Sequence, residues 1–354
     1  MGPVPLRVNA RVKAGLLDLL DEAVERGWAA ARACSVLELD ERRARRWRAR
    51  AHLDDATPGR AVHGLMPWEV DAIVEVFERF GDIDRSYRKL AHRGSYEGVV
   101  WVSESTVYRV LAAQGLVLPA PPPRSPSPAP APFPEWAEWR PNQIWIYDFS
   151  HFTRAGRVAF AVMDVVSRKW LRTLVTTEES ATQVEVLFTA ALGDEGLWER
   201  IEARHAGSPL DGDDPDVPIL LAMSDNGPQM RAGSTREFLA MCSIVARFGR
   251  PGTPTDQAWI ETLFGHVKRE WPHLEKITDG AQLAAELEVV RADYNGRRLH
   301  AGIGYVTPDD EHAGRGDAIR QARRDGLARS RAQRLTYHRD HTEPNPPCTL
   351  ESAD

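Results

Sequence analysis

The chain has 354 residues, of which 42% are hydrophobic and 27% charged, and a formal net charge of −6. This is the composition of an ordinary soluble globular protein long enough for two or three domains. No run of about 20 apolar residues is present to span a membrane, and no apolar segment near the N-terminus resembles a secretory signal. The three cysteines, Cys34, Cys242 and Cys348, lie too far apart in sequence to suggest a zinc site or a disulfide framework, which predicts a reducing cytoplasmic setting.

Net acidity is unusual for a protein that contacts phosphates, but the charge is unevenly spread. Six arginines fall between Arg42 and Arg50, and eight between Glu311 and Arg339 against three acids, whereas acids gather in Asp211–Asp216. The charge therefore argues neither for a nucleic-acid partner nor against one.

In chain order, Leu16, Leu19, Leu20 and Ala23 recur at helical spacing and predict a helix over Lys13–Arg26, broken by Gly27. A second helix is expected over Trp28–Val36. A turn capped by Asp40 leads to a basic third helix, Glu41–Arg50. Short helix, tight turn and basic helix match a helix-turn-helix, whose second element enters the major groove. Arg42, Arg43, Arg45, Arg46 and Arg48 are its candidate DNA contacts; the alternative is a solvated basic face. After a linker, a second helical unit is predicted from Pro67–Phe80, Ser86–His92, a loop or β-wing at Gly94–Val102, and a helix Glu104–Gln114 capped by Ser103. Thr106, Tyr108 and Arg109 are candidate contacts on that last helix, against the alternative of a packing unit that touches no DNA. Nine prolines in Pro119–Pro134 exclude helix and central strand and predict an extended spacer.

Beyond Trp136 the pattern changes. Strands are expected at Gln143–Phe149, Val158–Val166, Trp170–Thr177, Val217–Met223 and Ile244–Phe248. Helices are expected at Ser180–Leu192, Thr235–Cys242 and Ala281–Leu299, giving a mixed α/β sheet covered by helices. The segment beyond Ala313 is arginine-rich, then proline-rich and frayed.

Three acids in this region carry a chemical suggestion. Asp148 and Asp225 are placed at the ends of apolar strands, and Glu261 on the amphipathic helix that follows the loop Gly249–Thr255, which is expected to be mobile until DNA binds. Asp225 and Glu261 are separated by 35 residues. Phosphodiester cleavage needs an activated nucleophile and a stabilised leaving oxygen, which two divalent ions about 4 Å apart supply. Mg²⁺ asks only for a few oxygen ligands. Lys268, two turns after Glu261, is a candidate phosphate contact. Any one such acid is commonly a turn or cap residue, as Asp164, Glu178 and Asp256 illustrate.

The surrounding text is more specific. Trp145-x-x-Asp148, Ser224–Asp225–Asn226–Gly227 and Pro254-x-Asp256-x-Ala258-x-x-Glu261-x-x-Phe264-x-x-x-Lys268-x-Glu270, followed by Tyr294–Asn295-x-x-Arg298-x-His300, Gly304–Tyr305 and Thr307–Pro308, resemble bacterial insertion-sequence transposases with a retroviral-integrase-like core. The resemblance covers roughly Trp136–Glu311. It implies an RNase H-like mixed sheet flanked by helices, preceded by all-α helix-turn-helix units. The expected division is 1–60, 61–118, a linker 119–135, a catalytic core 136–312 and a basic tail 313–354. The resemblance also implies an Asp-Asp-Glu polynucleotidyl transferase holding two Mg²⁺ or Mn²⁺ ions, Asp148 bridging both and Asp225 and Glu261 each holding one. Its implied partners are double-stranded DNA, as inverted-repeat ends and target, and further copies of itself, at least as a dimer. No membrane is involved, and the expected location is the bacterial cytoplasm, on the nucleoid when bound. Two alternatives stay open: a domesticated relative that binds without cutting, and an RNase H-type nuclease acting by hydrolysis alone.

Overall fold

The computed structural model describes residues 4–5, 8–50, 52–53, 62–116, 133–225, 227–248 and 258–341, with only the helical backbone for 258–262. The Pro-rich spacer up to 132, the loop 249–257 and the Pro-rich end after 341 lie outside the described residues. By contacts the chain forms two compact units, residues 1–64 with 338–354, and residues 65–337.

The first unit holds α1 (Ala10–Glu25), α2 (Ala30–Val36) and α3 (Glu41–Arg48). α1 starts three residues before the predicted Lys13, because the Asn9 side chain accepts from Val12 N at 2.9 Å and caps it there. Asp40 caps α3 as predicted, accepting from Arg43 N at 2.9 Å. Between the helices Glu38 takes a left-handed φ of 50° and Leu39 turns inward, to a core of Leu17, Leu20, Ala33, Cys34 and Trp47.

The second unit opens with α4 (Pro67–Phe80), α5 (Tyr87–Tyr96) and α6 (Glu104–Ala113), packed around Ile73, Val76, Leu90, Val107 and Leu111. α5 continues past its predicted end at His92. Gly94 permits this: a Cβ there would lie 2.9 Å from Val100 Cγ1. The segment after α5 forms a loop, not a wing, because Val100 and Val102 fold inward to the helical core.

Five strands follow: β1 (Ile144–Phe152), β2 (Arg157–Asp164), β3 (Trp170–Thr176), β4 (Leu220–Ser224) and β5 (Ile244–Phe248). Their order in the sheet is β3-β2-β1-β4-β5. β1, β2 and β3 are antiparallel, whereas β4 pairs in parallel with both β1 and β5. Between β3 and β4 lie α7 (Ala181–Asp194) and α8 (Trp198–His205), the latter not foreseen from sequence; α9 (Gly233–Met241) precedes β5. α10 (Ala258–Glu270), α11 (Gly280–Gly296), α12 (Pro308–His312) and α13 (Gly316–Asp340) complete the chain. Side-chain alternation divides the sheet into two faces. Ile144, Ile146, Leu221 and Met223 meet Leu263, Phe264 and Val267 of α10 and Leu283, Leu287 and Val290 of α11. Trp145, Tyr147, Leu220 and Ala222 meet Val184, Leu187 and Phe188 of α7 and Leu239 of α9. This is an RNase H-like mixed sheet flanked by helices. Among the described residues no helix is long and apolar enough to cross a membrane.

Two polar devices hold the C-terminal part in place. Asn295 of α11 accepts from Trp170 N and donates to Trp170 O, both at 2.8 Å, and so acts as an extra strand partner for the edge of β3. The second device joins four elements. His312 of α12 stands 2.9 Å from Ser167 Oγ and 2.6 Å from Glu195 Oε2, while Asn142 and Lys169 both donate to Glu195 at 3.0 Å. Ser167, His312 and Glu195 have the contacts of a hydrolytic triad, but Ser167 is fully buried and its hydroxyl donates to Asp164 at 2.7 Å. The arrangement is therefore structural. Burial raises the Glu195 pKa, but hydrogen bonds from His312, Asn142 and Lys169 prevail and hold it at about 2. Burial pushes Asp164 the other way, upward. Because Glu195 is depressed, its contribution is present above the unfolded carboxyl pKa of about 4.3 and is lost as pH falls toward 2. Thermal melts between pH 5 and 2 should therefore show a shallower acid decline in Glu195→Gln than in wild type; parallel declines would contradict this role.

α13 was expected to be a frayed basic tail; it is a 25-residue helix as far as Asp340. Its inner face is polar, with Arg323, Ser330 and Arg334 buried. Arg334 reaches Glu69 of α4 through two hydrogen bonds of 2.8 Å and donates to Trp101 O at 2.8 Å. Arg323 donates to Ser95 Oγ at 3.0 Å and to the carbonyls of Gly304 and Tyr305 at 2.9 Å. Gly326 lies under Trp101, so close that a Cβ would be 2.1 Å from the indole Nε1. The arginines that suggested a solvated tail are partly consumed in fastening the helix down.

Candidate active site

Two of the candidate acids belong to neighbouring strands of the sheet, Asp148 on β1 and Asp225 just after β4. β1 and β4 pair with Ile146 opposite Met223. Asp148 follows two residues later on β1, and Asp225 comes directly after the last residue of β4. Before them, Ile144, Ile146, Leu221 and Met223 alternate onto the α10 face. Asp148 was expected at a strand end. It lies instead in the middle of β1, which runs on to Phe152 because its antiparallel pairing with β2 extends from Trp145 to Phe152. It is β4 that ends, at Ser224, leaving Asp148 without a strand neighbour on that side and half-buried. Asp225 Oδ1 accepts from Gly227 N at 2.9 Å, so the turn after β4 is held by the carboxylate itself. Tyr147, on the opposite face of β1, is buried; burial, and to a lesser degree the charge of Asp225, pushes its pKa up to about 12.

α10 covers this face. Leu263, Phe264 and Val267 are its buried stripe, each worth about 1.5–3 kcal/mol of burial. Glu261 sits in the first turn of α10, one turn before Phe264 and two before Lys268. Lys268 Nζ donates to the carbonyl of His151 on β1 at 2.9 Å, lies 5.0 Å from the Phe152 ring centroid, and pairs with Glu275 at 2.8 Å. Its charge is thus already engaged at the lip of β1. Among the described residues no cluster of three His, Cys, Asp or Glu could hold a metal. Asp148 and Asp225 are carboxylates, hard-oxygen donors of the kind that suits Mg²⁺ or Mn²⁺ and unlike the Cys/His sets that select zinc.

The other candidates are spread over the helical units. On α3, Arg42, Arg45 and Arg46 are exposed, with Arg45 paired to Glu41 at 3.4 Å. Arg43 is tied inward, donating to Val4 O at 3.0 Å and lying 4.7 Å from the Trp47 ring centroid, and Arg48 pairs with Asp21. On α6, Tyr108 and Arg109 are exposed, Thr106 is half-buried, and Arg109 donates to Thr106 Oγ1 at 3.1 Å. Sequence reading did not single out Arg85 and Lys89, which line a cleft with Arg297 and Arg298. Cations some two hundred residues apart carry no common signal in a linear text.

Comparison with known proteins adds a partial match and several similar proteins. Residues 243–308 match the integrase core domain family, a stretch that includes α10, α11 and Tyr294–Pro308. The transposase for insertion sequence element IS904 of Lactococcus lactis is 25% identical over 173 residues, 48% of this chain and 61% of that one. The chain thus spans less than two thirds of that relative's length. Transposase InsD for insertion element IS2A/D/F/H/I/K of Escherichia coli is 25% identical over 312 residues, 82% of this chain and 93% of that one. Among solved structures, the catalytic core domain of BIV integrase aligns with 50% of this chain and 97% of its own at 17% identity, with a TM-score of 0.36, too low to support any inference. The chain is thus similar to bacterial insertion-sequence transposases, and its residues 243–308 match the integrase core domain family.

Proposed function

We propose that this protein is a DNA transposase whose Asp148, Asp225 and Glu261 hold two Mg²⁺ or Mn²⁺ ions and direct cleavage and strand transfer at the ends of its element. The observation that supports this reading best is that β1, which carries Asp148, pairs in parallel with β4, which Asp225 directly follows, and that the helix carrying Glu261 packs on one face of these two strands. When bound, the ions would polarise the scissile phosphate and lower the pKa of the attacking hydroxyl. The protein's own contribution is positioning. The sheet would hold Asp148 within β1 and Asp225 at the end of β4, and the buried stripe of α10 would hold the backbone of Glu261 against the same sheet. All three carboxylates would serve as ligands to the ions. α3 and α6, with Arg42, Arg45, Arg46, Tyr108 and Arg109 exposed, are the elements proposed to grip DNA. Lys268 joins them once a phosphate competes with Glu275. Joining two ends calls for at least two copies of the chain on DNA, and the bacterial nucleoid is the proposed place of action.

A mobility assay tests the reading. The gene with its native flanking DNA donates a marked element, and new junctions are sequenced from cells carrying wild type or Glu261→Gln. Junctions from wild type alone are expected. Equal numbers from both would remove Glu261 from the site.

A further inference from the structure

We propose that the cleft of about 360 Å³ between the α4–α5 turn and the C-terminal ends of α10 and α11 seats a phosphate of the DNA backbone beside the cleavage site. This rests on the function proposed above. Four cations line the cleft: Arg85 and Lys89 from the α5 side, Arg297 and Arg298 from the end of α11. Three acids share it, Asp82, Glu270 and Asp293. Two of these are taken, since Glu270 pairs with Arg298 and Asp293 with Arg297 at 3.6 Å. Behind the lining, Asp84 is spent on Arg93 at 2.7 Å and stands 3.9 Å from Lys89. The lining therefore carries one more positive charge than negative, which matches the single charge of a phosphodiester.

A second observation points the same way. Arg298 is 7% exposed, and its Nε is buried with no hydrogen-bond partner among the described residues. An unmatched buried guanidinium N–H is costly, and an anionic oxygen is its natural acceptor. Arg85 forms no ion pair among the described residues; its Nε donates only to the carbonyl of Asp82, at 3.0 Å. Burial, and then the charge of Arg298, push Lys89 down to about 8 in spite of Asp84 and Glu270. Lys89 is an ammonium short of anions, and a bound phosphate would restore it.

The position also suits DNA. Glu261 and Glu270 are nine residues apart on one helix, about 14 Å along its axis. Duplex DNA rises 3.4 Å per base pair, so the cleft would meet a phosphate roughly four base pairs from the cut.

The test is anisotropy of a labelled random-sequence duplex of about 30 base pairs with the full chain, at salt between 50 and 200 mM. Each phosphate contact adds about 0.9 to the salt slope. The Arg85→Gln/Lys89→Met double variant, which empties the single proposed phosphate seat, should therefore lose roughly 0.9 from the slope, with its melting temperature held near that of wild type. Lys89→Arg should keep the slope but lose the weakening of binding that wild type shows as pH rises above about 8. An unchanged slope in the double variant overturns the phosphate seat and leaves the transposase reading standing. Failure of wild type to bind the duplex at all overturns that wider reading as well. A third arm titrates inorganic phosphate at constant ionic strength. A melting rise in wild type that the double variant lacks, alongside an unchanged DNA slope, would assign the cleft to free phosphate and overturn its assignment to DNA.

Discussion

Asp225→Asn abolishes Mg²⁺-dependent cleavage of element-end DNA and leaves DNA binding intact. The amide has nearly the same size and keeps an oxygen to accept from Gly227 N, which Asp225 Oδ1 does at 2.9 Å, so the turn after β4 survives. What disappears is one negative charge at the end of β4, one of the three proposed metal ligands. A ligand of this kind supports several kcal/mol of transition-state stabilisation, and at 1.36 kcal/mol per decade the rate falls by roughly a thousandfold or more. Binding rests on phosphate contacts made elsewhere, so a gel-shift or anisotropy titration should be nearly unaltered. The measurement is cleavage of labelled duplex by purified protein with Mg²⁺, Mn²⁺ or chelator. Full activity in the variant, or cleavage in chelator, would contradict the site assignment. Loss of binding along with cleavage would point to misfolding, which circular dichroism distinguishes.

Arg334→Met destabilises residues 65–337 by about 3–5 kcal/mol. Arg334 and Glu69 are 8% and 5% exposed and meet through two hydrogen bonds of 2.8 Å. Removing the guanidinium leaves the Glu69 carboxylate buried with one remaining donor, Met66 N at 3.0 Å. The Trp101 carbonyl loses its partner as well. At about 2–4 °C per kcal/mol for a unit of this size, the melting temperature should fall by roughly 10 °C. Removing both charges is different. Glu69→Leu/Arg334→Met should recover most of the loss, because two apolar side chains replace two buried ions. Scanning calorimetry decides this. A single variant as stable as wild type would mean that α13 is not fastened here.

Much of the candidate site is legible in the sequence because its parts are local signals. An apolar run predicts a strand whatever surrounds it, and Asp40 and Ser103 announce their helices by capping them. Glu261 belongs to a helix because apolar residues at 263, 264 and 267 recur on one face. The errors also have local causes. Gly94–Val102 was open between a loop and a β-wing, and it is a loop because Val100 and Val102 pack into the helical core. The segment beyond Ala313 was expected to be a basic, frayed tail, and as far as Asp340 a glycine and two buried arginines make it a docked helix.

The sequence by itself determined the five strands and most of the helices, though not α8 or α13, which acids follow apolar runs, and that an amphipathic helix comes after β5. Those properties depend on residues within a turn or a pleat of one another, where sterics and periodicity act directly. Only the tertiary structure decided that the strand carrying Asp148 lies beside the strand that Asp225 follows, because the pairing of β1 with β4 joins segments about eighty residues apart. It likewise decided that Arg334 is buried against Glu69 and that Arg85 and Lys89 share a cleft with Arg298. Such partners are chosen by packing between distant segments, and no local property of an arginine records which carboxylate or phosphate it will meet.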